Sequence, residues 1–294
     1  MISRLSALSS FVGIPQFIAL AIVIVIGIAV GVDLYAGYLF VCPMRSVIGL
    51  PPADLGATAI ALRSASGATL RGWYAPGAPG RGAVLLVHGI HADRRVMLPR
   101  ARFLHRAGYS VLLFDLQAHG ESTGDRITFG IKEGLDVQSA LDVLRQKAPG
   151  EHVGVIAVSL GGAAALLGPH PLAVDALVLE SVFPTIVQAT RNRVGALGTT
   201  LLLWQLGPRL GLRADDVRPI QHIRDVRAPI FIAGGEEDPW TPPVETRAMF
   251  DAANDPKSLW LVPGAAHEDL YAVAGQEYEQ RILGFFRRSG VGGS

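Results

Sequence analysis

The chain has 294 residues, half of them hydrophobic, which is enough apolar material for one large core. Its 26 basic and 25 acidic residues leave a formal net charge of +1, arguing against a dedicated nucleic-acid binder, which needs a concentrated basic face. The single cysteine, Cys42, excludes an internal disulfide and a cysteine-based metal cluster.

No charged residue falls between Arg4 and Asp33, and the run "FIALAIVIVIGIAVGV" is almost wholly aliphatic. The apolar stretch from about Ile14 to Val32 is roughly 19 residues, about the length a helix needs to cross a hydrocarbon core. It predicts an N-terminal transmembrane helix and a single-pass membrane protein. Two alternatives compete. A cleaved signal peptide has a shorter apolar core and wants a small-x-small site, which is not evident after Val32. A buried core helix this apolar would need cover on every side. Arg4 before the span and Asp33 after it favour a cytoplasmic N-terminus and a domain outside the cytoplasm, although Arg45 follows soon. Cys42 reads as an apolar filler in preference to a lipidation site. The expected organisation is an anchor and linker over 1–49 and a folded domain over 50–294.

From Thr58 the pattern changes to short β-rich runs separated by glycine, proline and charged helical stretches. "TAIALRS" and "ATLRGWYAP" flank Ser66-Gly67 and predict a hairpin. Then follow "GAVLLVHG", "YSVLLFDL", "HVGVIAVS", "ALVLES", "PIFIAGG" and "SLWLVPG". Most are continuous apolar runs, as expected of a parallel sheet covered on both faces. Helices are predicted over Val96 to Ala107, Ile131 to Gln146, Leu160 to Leu167, Val244 to Ala253 and Tyr271 to Arg287. The alternation defines an α/β protein with a mostly parallel, doubly wound sheet. The longest interruption, about 182–227, contains "VGALGTTLLLWQLGPRLGL", too short in its uncharged part to span a bilayer and placed where a small helical cap would sit.

Within "VIAVSLGGAAA" one hydroxyl, Ser159, ends a strand and a helix starts at once. So sharp a turn strains the serine, and bulky residues two places either side would collide; Ala157 and Gly161 meet that demand. The amide of Leu160 then points into the same space as the hydroxyl, beside the positive end of the helix. The pattern is a nucleophile elbow with alanine for the first glycine of G-x-S-x-G; the plain alternative is a glycine- and alanine-rich helix start capped by serine. A serine needs a base, and the base an orienting acid. "IAGGEEDPWTPP" offers Asp238, with Glu236 and Glu237 as competitors, and "LVPGAAHEDL" offers His267. His91 and His119 do not follow the last strand. Glu268 and Asp269 suit a cap of the final helix. The five arginines of "ADRRVMLPRARFLHR" are expected on a solvated helix face, or else against lipid headgroups or a substrate carboxylate. The leucine-rich cap has two readings, a cradle for an acyl chain or a cover for the core.

With "LLVHGIHADR", "LLFDLQAHGES", "AVSLGG", "GGEEDPWTPP" and "GAAHEDL" in this order, the region from about Leu50 to Arg287 resembles the α/β-hydrolase superfamily. It is most similar to the membrane-anchored or dienelactone-hydrolase-like serine branches. The resemblance implies the α/β-hydrolase fold, with Ser159 as nucleophile, Asp238 as acid and His267 as general base. It also implies an oxyanion hole made by the backbone N–H groups of Ile90, after His88-Gly89, and Leu160. The block holding Asp115, His119 and Gly120 is implied to be a structural turn. The expected activity is hydrolysis of carboxylic esters or related acyl bonds through an acyl-enzyme, with thioesterase or peptidase chemistry and a non-catalytic lipid-binding scaffold as alternatives. No metal and no organic cofactor is expected. The partners expected are a small-molecule or lipid-like acyl substrate and, through the N-terminal helix, the membrane; oligomeric state and natural substrate stay open.

Overall fold

A computed structural model describes residues 13–267 and 270–292. The chain divides into two compact units, one ending at Phe40 and one starting at Val41.

Among the described residues the first unit is one helix, α1 (Gly13–Val41), whose last residue belongs to the second unit. Every side chain from residue 16 to 32 is exposed, which removes the core-helix reading. The helix outlasts the predicted stretch by nine residues and ends at Val41, two places before Pro43, whose ring disfavours helix in the residue it follows. The apolar length Gln16–Val41, 26 residues, suffices to cross a membrane.

The second unit holds β1 (Met44–Arg45), β2 (Thr58–Arg63), β3 (Thr69–Ala75), β4 (Ala83–Val87), α2 (Leu98–Arg106), β5 (Ser110–Phe114), β6 (His119–Gly120) and α3 (Ile131–Lys147). It continues with β7 (Val153–Val158), α4 (Leu160–Leu167), β8 (Ala176–Glu180), α5 (Ile186–Leu203), α6 (Leu206–Leu210), α7 (Pro219–His222), β9 (Ile230–Gly235), α8 (Pro243–Ala252), β10 (Lys257–Val262) and α9 (Leu270–Arg288). Eight strands form one sheet in the order β10-β9-β8-β7-β4-β5-β3-β2, and β1 with β6 makes a separate parallel pair. Strand β3 runs antiparallel to β2 and β5; all other neighbours in the large sheet are parallel. Every residue of β4, β5, β7, β8 and β9 is buried, the physical counterpart of their unbroken apolar runs. The aromatic part of the core, with Phe103, Phe231, Trp260, Tyr278, Phe285 and Phe286, packs α2 and α9 against the sheet.

The side chains of Arg95, Arg102 and Arg106 lie exposed, as expected of the arginine run, whereas Arg94 and Arg100 depart from that expectation. Arg94 is buried and pairs with Asp115 and, at 2.5 Å, with Glu121. Arg100 is buried and pairs with Glu180, with Tyr278 Oη 3.1 Å from its Nε. Arg95, Arg102 and Arg106 reach Asp93, Asp54 and Glu279 at 2.8, 2.7 and 3.0 Å. Buried guanidinium is tolerable because carboxylates fixed by the fold match its fork. The carboxylates that pair with the two buried arginines lie 21 to 80 residues away, beyond the reach of local pattern.

The leucine-rich stretch also divides its roles. Helix α5 breaks at Gly195 (φ 71°, ψ −179°). Leu202 and Leu206 turn inward and cover the core, while Leu197, Leu201 and Trp204 face outward.

Candidate active site

Ser159 sits between β7 and α4 at φ 50°, ψ −112°, a region that L-residues avoid unless their surroundings hold them there. Its N–H donates to Glu180 O on β8 at 2.8 Å, and its carbonyl accepts from Ala163 N at 3.0 Å, so both flanks of the turn are fixed. The small neighbours are sterically required. A Cβ on Gly161 would lie 2.6 Å from His88 O and 2.7 Å from Val87 O, and one on Gly162 would overlap the Val182 side chain. The end of β4 and the loop after β8 therefore rest directly on the first turn of α4.

Asp238 follows β9 and is buried, whereas Glu236 and Glu237 are exposed. One carboxylate oxygen of Asp238 accepts from the amides of Trp240 and Thr241, both at 2.8 Å. The other lies 2.8 Å from His267 Nδ1. Burial works against ionisation of Asp238, but the hydrogen bond and charge of His267, aided by the two amides, outweigh it and hold the carboxyl below its usual value. His267 follows β10, and its Nε2 lies 3.0 Å from Ser159 Oγ. The fold thus brings together a hydroxyl, an imidazole and a carboxylate that are 108 and 29 residues apart in the chain. Such a chain of hydrogen bonds can move a proton off the hydroxyl and stabilise the resulting imidazolium.

Ile90 lies in the turn after β4, and Leu160 is the first residue of α4, where an N–H has no partner inside the helix. Among the described residues, neither amide donates to a backbone carbonyl in the turns, loops and caps.

His88 and His119 are buried edge to face, ring centroids 5.3 Å apart. Burial pushes both imidazoles down to about 4, so they are neutral near pH 7. His88 Nε2 accepts from Leu116 N at 3.1 Å, which ties the end of β4 to the loop after β5. Asp115 accepts from Arg94 N and Glu121 N at 2.8 and 3.0 Å, so this block builds a turn. His91, at φ 58°, has its imidazole lowered by desolvation and by nearby Arg193. Glu268 and Asp269, expected as helix caps, lie outside the described residues.

The groups around His267 carry little signal in the sequence. The Trp240 ring meets the imidazole edge to face at 5.4 Å, and Arg193 of α5 lies 5.1 Å from the Trp240 ring centroid. Asn192 Nδ2 donates to Trp240 O at 3.1 Å and to Glu245 Oε1 at 2.8 Å. Trp240 had a signal in its position two residues after Asp238. Asn192 and Arg193 had none, because their place depends on how the cap folds back.

A family model described as serine aminopeptidase, S33 (Hydrolase_4) matches residues 78–214. The chain is 31% identical over 258 residues to Rv2307c of Mycobacterium tuberculosis, an uncharacterized protein, with 85% of each chain covered. It is 24% identical over 245 residues to YqkD of Bacillus subtilis, with 78% of each covered. The esterase Pf2001 of Pyrococcus furiosus has the same fold: TM-score 0.70 at 24% identity, over 85% of this chain and 98% of that one. The chain belongs to the α/β-hydrolase superfamily.

Proposed function

We propose that this chain is a serine hydrolase that cleaves carboxylic esters or related acyl bonds. Ser159 is its nucleophile, His267 its general base and Asp238 its orienting acid, and the hydrolase unit is held to a membrane by α1. The observation that carries the reading is the run of contacts from Ser159 Oγ to His267 Nε2 at 3.0 Å and from His267 Nδ1 to Asp238 at 2.8 Å, on a serine held at φ 50°.

In this mechanism His267 takes the Ser159 proton as the oxygen attacks the substrate carbonyl, and Asp238 fixes the tautomer that leaves Nε2 free to accept. The amides of Ile90 and Leu160 receive the oxyanion, each contributing about two to three orders of magnitude in rate. His267 returns the proton to the leaving group. Water, with His267 again as base, then releases the acyl group and restores the hydroxyl.

The test is fluorophosphonate labelling combined with ester turnover. Wild type should label at Ser159 and hydrolyse short-chain esters, and Ser159→Ala should do neither; equal labelling of both would leave the scaffold reading. A peptidase reading is favoured by the family model's description as a serine aminopeptidase. Faster release of aminoacyl anilides than of matched esters would select it. Resistance of the full chain to carbonate extraction from membranes would establish α1 as an anchor, and protease protection in intact cells would give its sidedness.

A further inference from the structure

The cap segment 186–213 contains four arginines, Arg191, Arg193, Arg209 and Arg213, and neither aspartate nor glutamate. The part of α5 beyond Gly195 is apolar on both sides. Leu202 and, at the start of α6, Leu206 are buried, while Leu197, Leu201 and Trp204 face out, Leu197 being 74% and Trp204 57% exposed. Residues 197, 201 and 204 are spaced by four and three, so they form one stripe on the helix. A cap that only had to shield a core would need the inward stripe alone.

Leucines with an indole, on a helix flanked by arginines and lacking carboxylates, have the composition of a helix that lies in a bilayer interface. The apolar face enters the acyl boundary, tryptophan sits at headgroup depth, and guanidinium groups meet phosphates. Arg213 also reaches Asp216, at 3.7 Å, which closes the acid-free segment at its C-terminal end. The same chain carries the apolar helix Gln16–Val41, none of whose most apolar window is buried. Two separate segments thus call for an apolar environment that the described protein does not supply.

We propose that the outward face of α5, Leu197, Leu201 and Trp204 with the surrounding arginines, docks on an anionic lipid bilayer. The docked part of α5 follows, across the break at Gly195, the part that reaches Trp240 through Asn192 and Arg193, and Trp240 touches His267. If Ser159 is the nucleophile, as proposed above, the cap delivers acyl substrates dissolved in the membrane; the docking itself does not depend on that chemistry.

The experiment uses the full chain in nanodiscs of phosphatidylcholine with or without phosphatidylglycerol. Cys42 is replaced by Ser, and a bimane label is attached at Leu201→Cys or, as a control on α3, at Asp142→Cys. With anionic lipid, nitroxide-bearing lipid should quench the label at 201 and aqueous iodide should not; the label at 142 should behave in the opposite way. Ser159→Ala should leave this pattern unchanged, which separates failure of the docking from failure of the proposed chemistry. Changing Leu197, Leu201 and Trp204 together to serine should lower turnover of a bilayer-dissolved long-chain ester by roughly tenfold and leave a water-soluble short-chain ester unaffected. Iodide access at 201 in both disc types would overturn the proposal. So would equal lipid quenching without phosphatidylglycerol, which removes the anionic requirement, or disulfide coupling of two chains through Leu201→Cys, which makes a second copy the occupant.

Discussion

Replacing Gly161 by alanine tests whether the end of β4 and the serine turn form one rigid unit. A methyl there would sit 2.6 Å from His88 O, 2.7 Å from Val87 O and 2.9 Å from Val87 Cγ1, whereas ordinary contact begins at 3.4 Å. The nearest atoms are backbone carbonyls of a fully buried strand end, so no side-chain rotation relieves them. The strand end and α4 must part by about 0.8 Å at the first contact. Overpacking of this kind costs about 1–3 kcal/mol of stability. The larger effect falls on catalysis, because β4 leads into Ile90 and α4 starts at Leu160, the two proposed oxyanion donors. A displacement near 1 Å costs about a hundredfold in rate, so Gly161→Ala should lose about two orders of magnitude in kcat/KM for a short ester. It should melt only some degrees lower. Gly168→Ala is the matched control: its nearest neighbour lies at 3.5 Å, and both rate and melting should stay near wild type. The assays are steady-state ester hydrolysis, fluorophosphonate labelling rate and thermal melts. Wild-type values of kcat/KM and melting temperature in Gly161→Ala would refute the packing argument and the donor assignment built on it.

Asp238→Asn should keep the fold and lower kcat by about four orders of magnitude, because the amide favours the wrong imidazole tautomer; a loss below tenfold would exclude Asp238 as the acid. Asn192→Ala removes the cap's hold on Trp240 O and Glu245, so KM should rise severalfold with little change in kcat for short esters; unchanged KM would show that the tie does not position the cap. Burial depresses His119 from 6.5 to about 4, so the unfolded chain binds the extra proton: its contribution is intact above pH 6.5 and is lost as pH falls toward 4, by about 1.4 kcal/mol per unit. Asp136, raised to about 6 by burial, acts in the opposite sense over the same window, so the measurement is the difference between His119→Gln and wild type in chemical denaturation across that range; parallel curves would refute it. Glu180→Ala strands the Arg100 guanidinium in the core and should cost about 3–5 kcal/mol, part of which Arg100→Met should recover in the double variant; additive losses would show the pair to be uncoupled.

The central sheet was legible because five strands are buried along their whole length, and only unbroken apolar runs satisfy that environment. Strand β10 lies at the sheet edge and alternates in burial, yet its run was apolar enough to be recognised. The two-residue pair of β1 with β6 left no trace, being too short for any period. Of the candidate site, Ser159, Asp238 and His267 could be singled out in the sequence because each stands just past a strand end, in blocks whose order resembles that of the α/β-hydrolases. Whatever depends on side chains meeting across the fold was not legible. Arg94 and Arg100 looked like surface charges because nothing near them in sequence announces Asp115 or Glu180. Asn192 and Trp240 looked ordinary because their meeting depends on the path of the cap.

The same distinction explains why the site needs so few large residues. The loop that carries Asp238 and the loop that carries His267 are joined by main chain: Glu236 N donates to Val262 O at 3.0 Å and Glu237 N to Ala265 O at 2.9 Å. At that seam a Cβ on Gly235 would overlap Ala265 O and lie 2.6 Å from Ala266 O, so glycine is the residue that lets the two loops touch. Gly161 plays the same part between the serine turn and β4. Backbone contacts of this kind fix distances more tightly than long side chains do, because they carry no rotamer freedom that must be frozen. The Asp238–His267–Ser159 spacing is therefore set by how closely three loops approach one another. The small residues around Ser159, which look like absences in the sequence, are what permit that approach.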